Sequence, residues 1–289
     1  MSPIRLIPVA LALLWGFNWP AVKIALAEVP PFAIRMVGLG AGALLLLAVA
    51  AVFGRSLKVP RKDWRPLLVA GLLNIGVFNL AVVFAQLSTS TSRAAILTFT
   101  MPLWSVLFAY LFLGERIDAR KGVALVLGTV GIGCLAAPLF QGQGALAGLI
   151  FPLVAALSWT AGTLYMKVHP ITGDRVSNTA YQLLVAAALS GLCFLVAGET
   201  LPATLSGKVW LALGYHVVFA TAMAYLLWFI LLNRFSAGSA ALTTLAIPVV
   251  GVLGAMALIG ERPSLLDLAG FAAVLAAASL TMFSRPEAA

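Results

Sequence analysis

Residues 8–23 read PVALALLWGFNWPAVK, and residues 152–167 read PLVAALSWTAGTLYMK: Pro8, Trp15 and Lys23 return as Pro152, Trp159 and Lys167 at an offset of 144. A second pair, PLWSVLFAYLFLGER at 102–116 and PVVGVLGAMALIGER at 248–262, opens on Pro102 and Pro248 and closes on the same Gly-Glu-Arg, at an offset of 146. Between these anchors Ala94 and Ala95 match Ala240 and Ala241, and Thr98 matches Thr244. Several anchors in register over half a chain mark an internal duplication.

Working outward, the composition says what is duplicated. Apolar residues make up 62% of the 289 positions and charged ones 9%, too few polar groups to cover the outside of a soluble domain. Runs of about 20 apolar residues cross a hydrocarbon core as helices. Ten are predicted: 4–25, 31–53, 64–86, 91–113, 118–138, 145–167, 177–197, 207–232, 238–259 and 265–284. The fold class is therefore an all-α polytopic membrane protein with two five-helix repeats, 1–138 and 145–284, joined by a short uncharged turn. Five is odd, so the second repeat must lie upside down relative to the first. Gly114 and Glu115 then end span four at one mouth, and Gly260 and Glu261 end span nine at the other. Inverted repeats of this kind are suited to alternating access around a central site.

The net charge of +9 is unevenly placed. Arg5, Arg55, Lys58, Arg61, Lys62, Arg65, Arg116, Arg120, Lys121, Lys167, Arg175, Arg234 and Arg285 fall on one face. Lys23, Arg93, Lys208 and Arg262 fall on the other. The positive-inside rule places both termini in the cytoplasm, and this asymmetry, not nucleic-acid binding, accounts for the charge. Cys134 and Cys193 lie inside spans as small packing residues, and no disulfide framework is implied. Arg5 and the following apolar run resemble a signal peptide. Asn18, Pro20 and Lys23 interrupt that run, however, and its copy at 152–167 sits mid-chain, so a retained helix is expected.

Polar and aromatic residues inside spans are the candidates for a cavity, because polar groups are costly in hydrocarbon. Trp15, Asn18, Trp19 and Val22 share one helix face by their spacing, as do Trp159, Thr163 and Met166. Span three adds Asn74, Asn79 and Gln86; span eight adds His216, Tyr225 and Trp228; span nine adds Thr243 and Thr244. Asn79 aligns with Tyr225 across the repeat. Trp15, Asn18, Asn79, Trp159, Thr163, Tyr225 and Trp228 are expected to bind substrate, with His216 the candidate proton site. Pro102 and Pro248, mid-span, are expected to kink their helices as hinges, near the gate positions Gly114, Glu115, Gly260 and Glu261. Pro8 and Pro152 read as first-turn prolines. Trp64, Trp210 and Tyr110 belong to the interfacial belt. Thr98 and Thr100 are expected to bond their own helix backbones. Lys23, Lys167 and Arg35 are expected to snorkel.

All nine acidic residues, Glu28, Asp63, Glu115, Asp118, Asp174, Glu199, Glu261, Asp267 and Glu287, fall at span ends or in loops. An uncharged, aromatic-lined cavity follows, better suited to neutral amphipathic solutes than to inorganic ions. His169 and His216 are too few and too separate for a metal site or an intramembrane enzyme, and no cofactor is called for.

Ten spans, a duplicated five-span unit, a tryptophan with a downstream lysine in spans one and six, and Pro102 and Pro248 each followed by Gly-Glu-Arg together resemble the EamA-type branch of the drug/metabolite transporter superfamily. The resemblance covers essentially the whole chain and is most similar to that branch's aromatic amino acid and paraquat exporters. It implies an inner-membrane carrier that exports amino acids or related metabolites, with the lipid bilayer and a small-molecule substrate as its partners. It leaves the oligomeric state open, a monomer included. The four-span small multidrug exporters of the superfamily use a glutamate in span one, and this chain has none there. Efflux of drugs or of other metabolites is the alternative. A nucleotide-sugar carrier would want cationic groups in its cavity, for which only Arg35 is available. A receptor or a channel fits an inverted repeat less well.

Overall fold

No water in a hydrocarbon core can bond an exposed amide, so apolar runs of this length satisfy their backbones as helices. The computed structural model describes residues 6–140, 145–228 and 237–282, with side chains at all of these except 113, 139–140, 237–244 and 282. Arg5, Arg234, Arg285, Glu287, the turn 141–144 and the side chains of Ala240, Ala241, Thr243 and Thr244 lie outside the described residues. Every regular element described is helical. In chain order these are α1 (Ile7–Ala25), α2 (Pro31–Val52), α3 (Arg61–Ser88), α4 (Thr91–Phe112) and α5 (Ala119–Phe140). Then come α6 (Ala147–Val168), α7 (Arg175–Val196), α8 (Gly207–Trp228), α9 (Ala237–Ile259) and α10 (Leu265–Met282). The first eight are long and apolar enough to span a membrane, and α9 and α10 carry the shorter apolar stretches Leu245–Ile259 and Leu265–Thr281. The protein is a ten-helix membrane protein.

Backbone features recur at the sequence offsets. Gly71–Val77 within α3 and Tyr215–Met223 within α8 are π-helical, and they begin 144 residues apart. Gly114 and Gly260 end their helices at φ of 70° and 71°, a left-handed conformation that glycine adopts without steric cost. The following Glu115 and Glu261 amides donate to Ala109 O and Ala255 O at 3.2 and 3.3 Å.

Helices in lipid gain little from the hydrophobic effect when they meet, so they associate by close packing through small residues. α2 packs along α7, α5 along α10, α1 along α9, and α3 and α4 against α6. At the α5–α10 crossing a Cβ on Gly131 would stand 3.0 Å from Gly270 O, so only glycine permits the approach. Leu39, Leu46, Ile75 and Leu183 fill one core between α2, α3 and α7. Ile96, Leu135, Val252 and Val274 fill another between α4, α5, α9 and α10.

Charged groups tie helix ends. Glu199 accepts from the Phe32 and Ala33 amides at 3.3 and 3.0 Å, capping the positive N-terminus of α2. Asp174 caps α7 through the Ser177 amide at 3.0 Å and pairs with Arg55 at 3.0 Å. Two proline expectations are corrected. α4 breaks between Thr98 and Met101, leaving Pro102 in the first turn of the second segment. Its missing N–H costs nothing there, so it marks a break, not a mid-helix kink. Pro152 lies inside α6 and not in its first turn, whereas Pro8 is in the first turn of α1.

Candidate functional site

A π turn bonds i to i+5 and loosens the ladder, leaving carbonyls to accept from outside donors. Two such donors, Trp15 and Ser158, together with donors from the π segments themselves, fix the centre of the molecule. Trp15 Nε1 donates to Ala220 O at 3.0 Å, and Tyr215 Oη donates to Leu14 O at 2.9 Å, holding α1 on α8. Ser158 Oγ donates to Leu73 O at 2.7 Å, and Asn74 Nδ2 donates to Trp159 O and Thr163 Oγ1, both at 3.0 Å, holding α6 on α3.

Between these pairs lies a cavity of about 140 Å³. The predicted α1 face, Trp15, Asn18, Trp19 and Val22, lines it entirely. Asn79, Trp159, His216 and Tyr225 also reach it. Trp15 meets Tyr225 edge-on with ring centres 5.6 Å apart, and Trp159 lies 4.9 Å from Phe78. His216 Nδ1 sits 2.8 Å from Asn18 Oδ1. Two expected lining residues stand elsewhere. Thr163 faces a second cavity, and Trp228 packs behind Trp15 at 5.6 Å and lines neither.

Sequence reasoning missed Phe78, Phe99, Thr221 and the role of Arg35. The expectation of an uncharged cavity is overturned by Arg35, which is 1% exposed and lines it. Its position one turn inside a span suggested snorkelling, but the α2 N-terminus is covered by the Glu199 cap, and the side chain turns inward. Lys23 is also corrected. It is half-buried and donates to Gln86 O instead of reaching the interface. Gln86, fully buried, donates from Nε2 to Trp19 O at 2.8 Å. Thr100 bonds Leu97 O at 2.7 Å as expected, while the Thr98 hydroxyl is buried without a partner. Trp64, Trp210 and Tyr110 are exposed, in keeping with a lipid-facing belt.

The second cavity, about 490 Å³, shares Phe99, Met101 and Trp159 with the first. It runs past Pro102, Thr163 and Pro248 to Glu115, Lys121 and Lys167. The second alone reaches the size of small-molecule sites, roughly 300–1,000 Å³. The two glutamates expected at the gates differ. Glu261 accepts from Ser92 N at 2.9 Å, from Ser92 Oγ at 2.6 Å and from Thr91 N, capping α4. Glu115, 45% exposed, stands 3.7 Å from both Lys121 and Lys167. The Glu261 end is thus fastened and the Glu115 end holds an open vestibule. Pro248 remains within an unbroken α9, unlike its counterpart Pro102.

The chain is similar to several proteins named as transporters and to one solved structure. The transporter YvbV of Bacillus subtilis is 30% identical over 265 residues, covering 90% of this chain and 85% of that protein. The inner membrane transporter YedA of Escherichia coli K12 is 29% identical, covering 89% and 83%. A Salmonella typhimurium protein named "probable amino-acid metabolite efflux pump" is 27% identical, covering 93% and 91%. A solved crystal structure shares the fold at a TM-score of 0.66 and 22% identity, covering 97% of this chain and 96% of its own. The EamA-like transporter family model matches twice, at residues 4–137 and again at 146–283. The chain belongs to the EamA-like transporter family.

Proposed function

We propose that this transporter is an inner-membrane carrier that exports amino acids, aromatic or otherwise hydrophobic ones, by alternating access between two inverted halves, 1–138 and 145–284. One observation carries the reading. The aromatic central cavity shares the walls Phe99, Met101 and Trp159 with an open vestibule at the Glu115 end, while Lys23, Gln86 and Glu261 fasten the opposite end. By the positive-inside rule the vestibule faces the cytoplasm, so this is the loading state of an exporter. The efflux-pump name of the Salmonella relative supports amino acids as cargo. Trp15 and Trp159 form the walls, and the fastened and open gates exchange roles during the cycle.

The test is counterflow in proteoliposomes with labelled phenylalanine, threonine or lysine, run with and without a pH gradient and against a lipophilic drug as competitor. Saturable phenylalanine counterflow is expected. Trp159→Ala should lower it at least tenfold, since it removes one aromatic wall. Failure of all three amino acids to move would defeat the reading, and movement of the drug alone would favour multidrug efflux. Dependence on the gradient would direct attention to His216, the one histidine in the cavity lining.

A further inference from the structure

Among the described residues, the central cavity contains a cation with no counter-ion. Arg35 is 1% exposed, and its buried Nε has no hydrogen-bond partner. Among the described residues no carboxylate pairs with it, and none lines the cavity. A guanidinium stays protonated in a protein, and burying a charge without a partner is strongly unfavourable. In a membrane protein such a group faces the substrate path and meets its partner there. The same cavity is lined by Gln86, whose Oε1 is a buried acceptor with no donor. A fork of donors and a vacant acceptor thus share one small aromatic chamber.

We infer that Arg35 binds the carboxylate of the transported solute and that Gln86 Oε1 accepts from its ammonium, so the site is a template for a zwitterion with an apolar side chain. The inference rests on the carrier reading above and narrows its cargo. Arg35 can hold a carboxylate through two parallel N–H···O bonds, and the cavity walls cover the side chain. Inorganic and organic phosphates share the anionic chemistry. What separates the classes is the second end: an amino acid brings an ammonium for the vacant Gln86 Oε1, whereas a phosphate or a plain carboxylate would leave that acceptor empty.

The experiment uses the full-length protein in nanodiscs, followed by the fluorescence of the cavity tryptophans and by thermal unfolding. The probes are phenylalanine, phenylalaninamide, 3-phenylpropionate and phenyl phosphate. Phenylalanine is expected to bind best. Loss of either charged end should weaken binding by about 10- to 100-fold, the size of one charge-assisted hydrogen bond. Arg35→Gln should remove the preference for phenylalanine over its amide. Gln86→Leu should weaken phenylalanine without weakening 3-phenylpropionate. The free Arg35→Met protein should unfold at a higher temperature than wild type, because an unpaired buried charge is gone. A purely structural Arg35 would give the reverse, lowering the unfolding temperature and leaving ligand preference intact.

Equal binding of phenylalanine and its amide would overturn the inference while leaving amino-acid export standing. Binding of 3-phenylpropionate alone, lost in Arg35→Gln, would sustain the anion site and sink the amino-acid reading. Phenyl phosphate binding above every carboxylate would reassign the site to phosphates. Absence of binding by all four probes would overturn the inference.

Discussion

At the scale of the residue, the tightest point near the site is where α6 meets the π segment of α3. A Cβ on Gly162 would stand 2.2 Å from Asn74 Oδ1 and 2.9 Å from its backbone nitrogen. A side chain can rotate away, but the backbone nitrogen cannot move without shifting α3. Asn74 also holds Trp159 and Thr163 through its Nδ2. Gly162→Ala is therefore expected to cost about 1–3 kcal/mol, the usual penalty for overpacking. A Cβ on Gly133 would have no heavy atom of another element within 4 Å, so Gly133→Ala should be neutral or gain up to about 1 kcal/mol from helix propensity. Thermal unfolding in detergent compares them. Equal unfolding temperatures for the two variants would mean the close approach at Gly162 is unimportant.

At the scale of the element, helix spacing carried the reading where the helix was regular and failed where it was not. Trp15, Asn18, Trp19 and Val22 could be assigned to one face from their spacing, and all four line the cavity. His216 and Tyr225 are nine residues apart, about half a turn out of phase at 3.6 residues per turn. Both reach the cavity because Tyr215–Met223 winds more widely and turns them to the same side. No residue pattern announced that π segment. Arg35 was misread for a different cause: near a span end, an inward and an outward side chain have the same sequence, and only the neighbouring helices decide. The break in α4 likewise depends on packing, since Pro102 and Pro248 sit at matched positions with different outcomes. Glu261 belongs to this scale too, because it fastens one helix start. Glu261→Gln loses the charge that caps Thr91 and Ser92, a change of about 1 kcal/mol in favour of opening that end. Val22 lines the cavity and is 2% exposed. A Val22→Cys reporter, with Cys134 and Cys193 replaced, should react several-fold faster with a membrane-impermeant maleimide added from the Glu261 side once Glu261→Gln is introduced. An unchanged rate would show that the cap does not hold that end closed.

At the scale of the whole molecule, the α2–α7 pair is fastened at both ends, by Glu199 on the start of α2 and by Asp174 between Arg55 and the start of α7. Burial alone would raise the Asp174 carboxyl's affinity for protons, but the Ser177 amide and the Arg55 guanidinium outweigh it and hold the pKa below the ordinary aspartate value. A carboxyl depressed on folding adds stability at pH above its unfolded value, and that stability is lost as pH falls through the folded value. Arg55 is half-exposed, so its ion pair contributes little on its own and the helix cap should dominate. Asp174→Ala, which removes cap and charge, is expected to cost about 1 kcal/mol at pH 7. Asp174→Asn keeps a capping oxygen and should cost less. Arg55→Gln should cost least of the three. As the pH is lowered below the ordinary aspartate range, wild type should converge on Asp174→Asn while Asp174→Ala stays behind. Thermal unfolding in detergent at a series of pH values reads this directly. If Arg55→Gln proves as damaging as Asp174→Ala, the ion pair and not the cap fastens the two halves at this end.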